Sequence, residues 1–152
     1  LYVLSGQALC PRPNSNSNSN PVLTVSLGQD LLTQHSSKST SRVNPTFHHV
    51  FVFITTLSGV RQLKIQVHEQ DVLSRILHHD TLLGETCIDL EDRIFSTTWQ
   101  NLGATHETST RLRPKPVERR ALHLPTSCAS FGTLNCWLDI LTTVEAQMYR
   151  RV

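Results

Sequence analysis

Two histidine pairs, His48-His49 and His78-His79, and four cysteines, Cys10, Cys87, Cys128 and Cys136, are the side chains best suited to hold a transition metal or attack a substrate. Their spacing argues against both. Zinc sites draw ligands from close repeats such as C-x-x-C or H-x-x-x-H, and neither occurs. Neighbouring histidines on an extended chain point to opposite faces, so His48 and His49 do not share one ion. Histidine titrates near neutrality, so His78 and His79 would gain charge beside an acidic surface, but they read first as exposed loop residues. Catalytic frames are missing as well: no G-x-S-x-G, no phosphate-cradling glycine loop and no recognisable Cys-His arrangement. The six glycines fall mostly at strand ends. No enzyme is expected.

Charge and apolar spacing leave interaction chemistry. Arg111, Arg113, Lys115, Arg119 and Arg120 make a basic stretch, diluted by Glu118 and kept extended by its prolines, which reads as a solvated linker or an electrostatic contact. The net charge of +2 is too small to indicate nucleic acid by itself, and aromatic residues are not interleaved with the basic ones. Between Asp71 and Asp80, Val72, Leu73, Ile76 and Leu77 fall at i, i+1, i+4 and i+5, which is one face of a short helical turn.

Strand-like segments must position these groups. Residues 1–9 read as a first strand. In 22–27, Leu23, Val25 and Leu27 alternate with Thr24 and Ser26 and stop at Gly28; Leu63, Ile65 and Val67 alternate with Lys64 and Gln66. Residues 36–43, 50–55, 82–88 and 134–141 are further strands. Asn44-Pro45 reverses the chain between two of them, because proline fixes its own φ and pushes its predecessor toward extended geometry. Phe51 and Phe53 then share one face. The Asn/Ser repeat inside 10–20 has no apolar surface to bury and reads as a loop; 106–125 reads as an irregular basic insertion. Residues 89–95, with acids first, suit a short helix near 89–96. Many half-buried strands and little helix point to an all-β sandwich or barrel.

At 152 residues the chain is long enough for one domain with its own core, expected over 1–145 with a linker beginning at 146–152. No apolar run approaches a bilayer span, and no charged-then-apolar leader is present. The simplest expectation is a piece of a longer protein. Sparse cysteines and the absence of an N-x-S/T acceptor lean toward a reducing, cytosolic setting.

Asn44-Pro45-Thr46-Phe47 followed by Phe51-Val52-Phe53 resembles the central hairpin of C2 domains, antiparallel β-sandwiches of about eight strands that dock on membranes. Val67-His68-Glu69-Gln70-Asp71 resembles the strand end that delivers two carboxylates into a loop of that family, and Asp80-Thr81-Leu82-Leu83-Gly84-Glu85-Thr86 the segment after the loop. Asn20-Pro21 stands where the family has Asp-Pro. A narrower resemblance is to the ferlins, large vesicle-fusion and membrane-repair proteins with several C2 domains. It rests on Ile88-Asp89-Leu90-Glu91-Asp92-Arg93 and on the closing strand Gly132-Thr133-Leu134-Asn135-Cys136-Trp137-Leu138-Asp139-Ile140.

The resemblance implies a calcium tip made by Asn20, Glu69, Asp71 and Asp80. A hard cation wants several oxygens, charged ones among them, yet residues 10–20 hold no carboxylate and Thr81 replaces an aspartate. The expectation is therefore a weak remnant site: no cofactor, or calcium at low affinity. The same resemblance implies that Val72, Leu73, Ile76 and Leu77 insert at the headgroup boundary or else fold back over the sandwich end. It implies, too, that Lys38, Arg42 and Lys64 form a patch for acidic headgroups or an ordinary solvated face. The expected function is a peripheral phospholipid-binding module of a ferlin-like protein, on the cytoplasmic face of a membrane. A degenerate C2 domain that binds sibling domains or other proteins is the second reading, and a calcium-dependent phospholipid sensor the third.

Overall fold

The computed structural model describes residues 1–10, 20–36, 41–56, 59–70, 80–103, 117–127 and 129–149. Eight strands run β1 (Tyr2–Gln7), β2 (Asn20–Leu27), β3 (Asp30–His35), β4 (Thr46–Val50), β5 (Gln62–Gln70), β6 (Thr81–Asp89), β7 (Glu118–His123) and β8 (Ser130–Trp137). All pair antiparallel, in the order β3-β2-β5-β6-β7-β8-β1-β4. β6 and β7 meet through one pairing, Glu85 with His123. At this weak seam the ladder folds over, so that two four-stranded halves face each other as a β-sandwich. Gly84 lies at the seam, where a Cβ would sit 2.8 Å from the Cβ of Leu122.

Period-two alternation builds the core between the halves. Leu63, Ile65 and Val67 of β5 and Leu23, Val25 and Leu27 of β2 point inward against Val3, Phe47, Leu122, Leu134 and Cys136 of the other half. Each such aliphatic side chain contributes about 1.5–3 kcal/mol when removed from water. Phe51 is buried and Phe53 packs on the same core, while Val50, Val52 and Ile54 face outward. Desolvation in this core pushes the Cys136 thiol up to about 11.

Several expected elements shift. The described residues within 36–43 hold no strand; the edge strand is β3, earlier in the chain, paired residue for residue with β2. The aromatic strand is Thr46–Val50 rather than 50–55, and just beyond it Phe51 N donates to Leu1 O at 2.7 Å. The closing strand is Ser130–Trp137, not 134–141. The turn at Asn44-Pro45 is present, although no strand precedes it directly. Asn44 Oδ1 accepts from the Ala8 N–H at 2.9 Å and Pro45 O accepts from Gly6 N at 2.9 Å. The first of these bonds holds Ala8 in the left-handed region, φ 51°, which costs a non-glycine residue energy.

Within 106–125, expected as irregular, residues 118–123 form β7. Leu122 is fully buried, Arg119 donates to Thr133 Oγ1 on β8 and Arg120 to Thr86 Oγ1 and Cys87 O on β6. The short helix is α1 (Leu90–Phe95), whose N-cap Asp89 accepts from Glu91 N at 2.9 Å and Asp92 N at 3.4 Å. Two further helices follow, α2 (Thr97–Gly103) and α3 (Thr143–Tyr149). α3 crosses the expected linker boundary at 146 and opens with a reciprocal capping box: Thr142 N donates to Glu145 Oε2 at 2.7 Å, and Glu145 N donates to Thr142 Oγ1 at 3.3 Å.

Candidate functional site

Strand alternation puts the connections β1–β2, β3–β4, β5–β6 and β7–β8 at one end of the sandwich. Asn20, the β3–β4 connection, Glu69 and Asp80 therefore share that end. Asn20 is exposed and lies opposite Gln70 in the ladder, while Glu69 lies between Pro21 and Thr81.

Glu69 does not face outward. It continues the inward row of Leu63, Ile65 and Val67 and keeps only 5% of its surface. Its Oε1 accepts a charge-assisted hydrogen bond from Arg42 Nη2, in a part-buried ion pair. The chain next to Arg42 is held by local and cross-strand bonds. Ser41 Oγ accepts from Val43 N at 3.2 Å and Asn44 N at 3.3 Å, and Leu9 N donates to Val43 O at 2.9 Å. The pair thus ties the β3–β4 connection to β5.

Asp80 is exposed, and both its oxygens accept from Gln70 Nε2 at 3.3 Å. Asp71 lies outside the described residues, as do Val72, Leu73, Ile76, Leu77, His78, His79 and Lys38. Lys64 is on the outer face of β5, its Nζ 3.5 Å from Glu85 Oε2, and the same carboxylate accepts from Gln66 Nε2 at 2.8 Å. Arg42 and Lys64 each face a carboxylate, on opposite faces of the sheet. An open groove of about 460 Å³ lies beside Lys64 at the far end, lined by Ser26, Gly28, Val60 and Arg61; Arg61 pairs with Glu91 at 3.2 Å.

Among the described residues no three His, Cys, Asp or Glu side chains gather as a metal-binding group. The donors at the tip fit a hard dication poorly: Asn20 is neutral, Glu69 is committed to a guanidinium and Asp80 is bonded to an amide. His48 is exposed with a left-handed backbone, φ 45°, whereas His49 packs edge-on to the Phe51 ring at 4.8 Å.

Two features carry weak sequence signals. His68 is half-buried on β5, and its buried Nδ1 has no hydrogen-bond partner among the described residues. Desolvation lowers its pKa, against the opposing pull of Asp80 and Glu85. At the opposite end, Glu118 joins Arg93 of α1 to Arg120 of β7, the latter at 2.9 Å. Arg93 lies 3.3 Å over the Trp99 ring, and Arg120 also donates to Cys87 O at 2.7 Å and Thr86 Oγ1 at 3.3 Å. The inward register of Glu69 was readable from its alternation with Leu63, Ile65 and Val67. The Arg42–Glu69 and Arg93–Glu118 partnerships link residues 27 and 25 positions apart in the chain and have no local signature.

The C2 domain family model matches residues 1–109, which include the Asn-Pro turn, the β5 end and the seam strand β6. The chain belongs to the C2 domain family. It is similar to myoferlin of Homo sapiens, 29% identical over 107 residues that make up 70% of this chain and 5% of that protein. It is also similar to Ferlin 2 of Toxoplasma gondii, 28% identical over 127 residues, 84% of this chain and 8% of that protein. The C2 domain thus spans only a small fraction of the length of the curated relatives it matches. Its fold is that of a solved C2 domain of plant extended synaptotagmin 1, with a TM-score of 0.56, 12% identity and coverage of 88% of this chain and 86% of that one. C2 domains are in general non-enzymatic modules that bind phospholipid membranes or proteins. No helix among the described residues is long and apolar enough to cross a membrane.

Proposed function

We propose that this C2 domain docks peripherally on anionic phospholipid surfaces, at the cytoplasmic face, as one unit of a ferlin-like protein that brings membranes together or organises them. Docking on this reading does not wait for calcium. The observation that carries it is the Arg42–Glu69 pair: a carboxylate that would meet the ion already meets a cation.

With Arg42 and Lys64 each beside a carboxylate, the cationic patch contributes less than the ~1 kcal/mol per residue of a free cation near an anionic leaflet. The apolar residues Val72, Leu73, Ile76 and Leu77 would then supply most of the adhesion, as interfacial segments do. A second reading has its own support. Val50 at the end of β4 and Val52 and Ile54 just after it face outward, exposed by 51%, 67% and 91%, which suits contact with a sibling domain or another protein.

Co-sedimentation separates the two. Binding to phosphatidylserine vesicles, little binding to phosphatidylcholine vesicles, and loss of binding in Leu73→Asp/Ile76→Asp are expected. Failure to sediment with either vesicle would overturn the lipid reading and favour the protein contact.

A further inference from the structure

We infer that Arg42 is a built-in substitute for the metal ion of this tip: its guanidinium supplies the positive charge that holds the β3–β4 connection against β5. The inference deepens, and rests on, the reading of a tip that does not wait for calcium.

Three observations converge on it. Glu69 is on the inward face of β5 with 5% of its surface exposed, so an unpaired carboxylate there would be costly. Arg42 reaches it from the β3–β4 connection, with 25% of its side chain exposed, and the chain beside it is held by bonds of Val43 and Asn44 to Ser41 Oγ and of Leu9 to Val43 O. The remaining described donors, Asn20 and Asp80, are exposed and carry one formal charge between them. A divalent ion would need Glu69, and to gain it would have to displace a tethered cation whose backbone is already ordered. An intramolecular partner has the advantage of high effective concentration.

The prediction is that calcium response is masked and that removing the arginine's charge reveals it. Thermal unfolding of the full chain is measured in chelator and in calcium chloride at about 10 mM, well above the range of weak sites. Wild-type Tm is expected to move by less than about 1 °C between the two, as negligible binding gives. Arg42→Gln should lose about 5–10 °C in chelator, the effect of removing a charged partner from a mostly buried carboxylate. It should then recover about 3–5 °C in calcium, as a millimolar site would give. Arg42→Gln/Glu69→Gln should show no recovery. Arg42→Lys, which keeps the charge and is the variant to use if Arg42→Gln does not fold, should stay indifferent to calcium. A wild-type chain that gains as much from calcium as Arg42→Gln would overturn the inference, as would a folded Arg42→Gln that gains nothing or an Arg42→Lys that responds. Vesicle binding is scored separately: the Tm pattern above without sedimentation on phosphatidylserine keeps the ion substitution and sinks the lipid reading.

Discussion

Glu118→Ala tests whether the far end of the sandwich is held by charge. The carboxylate meets Arg93, 9% exposed, and Arg120, 22% exposed, and so binds α1 to the start of β7. Removing it strands two guanidinium groups in a largely dry site. Breaking a buried pair from one side costs about 3–5 kcal/mol. Part of that is recovered here, because Arg120 keeps its bonds to Cys87 O and Thr86 Oγ1 and Arg93 keeps the Trp99 face. A net loss of about 2–3 kcal/mol is the reasonable figure, and in a chain of this size each kcal/mol lowers Tm by roughly 2–4 °C. Circular dichroism melts should therefore show Glu118→Ala unfolding about 4–12 °C below wild type. The difference should change little between about 0.05 and 0.5 M NaCl, since salt screens buried pairs poorly. Glu118→Gln, which retains the shape and some hydrogen bonding, should lose less. A Glu118→Ala Tm within about 1 °C of wild type, or a deficit abolished by salt, would refute the argument.

Two further outcomes are expected. His68 has a folded-state pKa below its unfolded value, so the unfolded chain takes up the proton first; its share of stability is complete above about pH 6.5 and is lost as pH falls toward the folded value. Wild-type Tm should therefore drop more between about pH 7.5 and 5.5 than that of His68→Gln, and parallel curves would count against it. Gly132 holds φ +116°, and a Cβ there would lie 2.8 Å from Ala8 O and 2.9 Å from Gln7 O, backbone atoms with no room to yield. Gly132→Ala should cost about 3 kcal/mol in urea unfolding, and a loss under about 0.5 kcal/mol would contradict the geometry.

The inner strands were legible because they obey one rule. Leu63, Ile65 and Val67 alternate with polar residues, and so do Leu23, Val25 and Leu27, and both strands are central in the ladder. The edges were not. β3 reads Asp30-Leu31-Leu32-Thr33-Gln34-His35, with no buried side chain to impose a period, and its identity comes from pairing with β2. β7 carries charge because Arg120 pairs with Glu118 and donates to Cys87 O, while Arg119 donates to the Thr133 hydroxyl, contacts that composition alone reports as linker. The α3 helix had a signal, Thr142-Thr143-Val144-Glu145, in the capping-box spacing. At the tip, the family resemblance located Asn20, Glu69 and Asp80 at one end, but not the direction of Glu69. Its position two residues beyond Val67 encodes that direction; its partner, 27 residues away, is a tertiary fact.

Isothermal titration of calcium into the metal-free chain addresses the central claim most directly. With Glu69 already paired with Arg42, no saturable heat is expected below about 1 mM calcium, the weak end of the range for such ions. A saturable isotherm with micromolar affinity would contradict it, because the ion would then have displaced the arginine from the buried carboxylate.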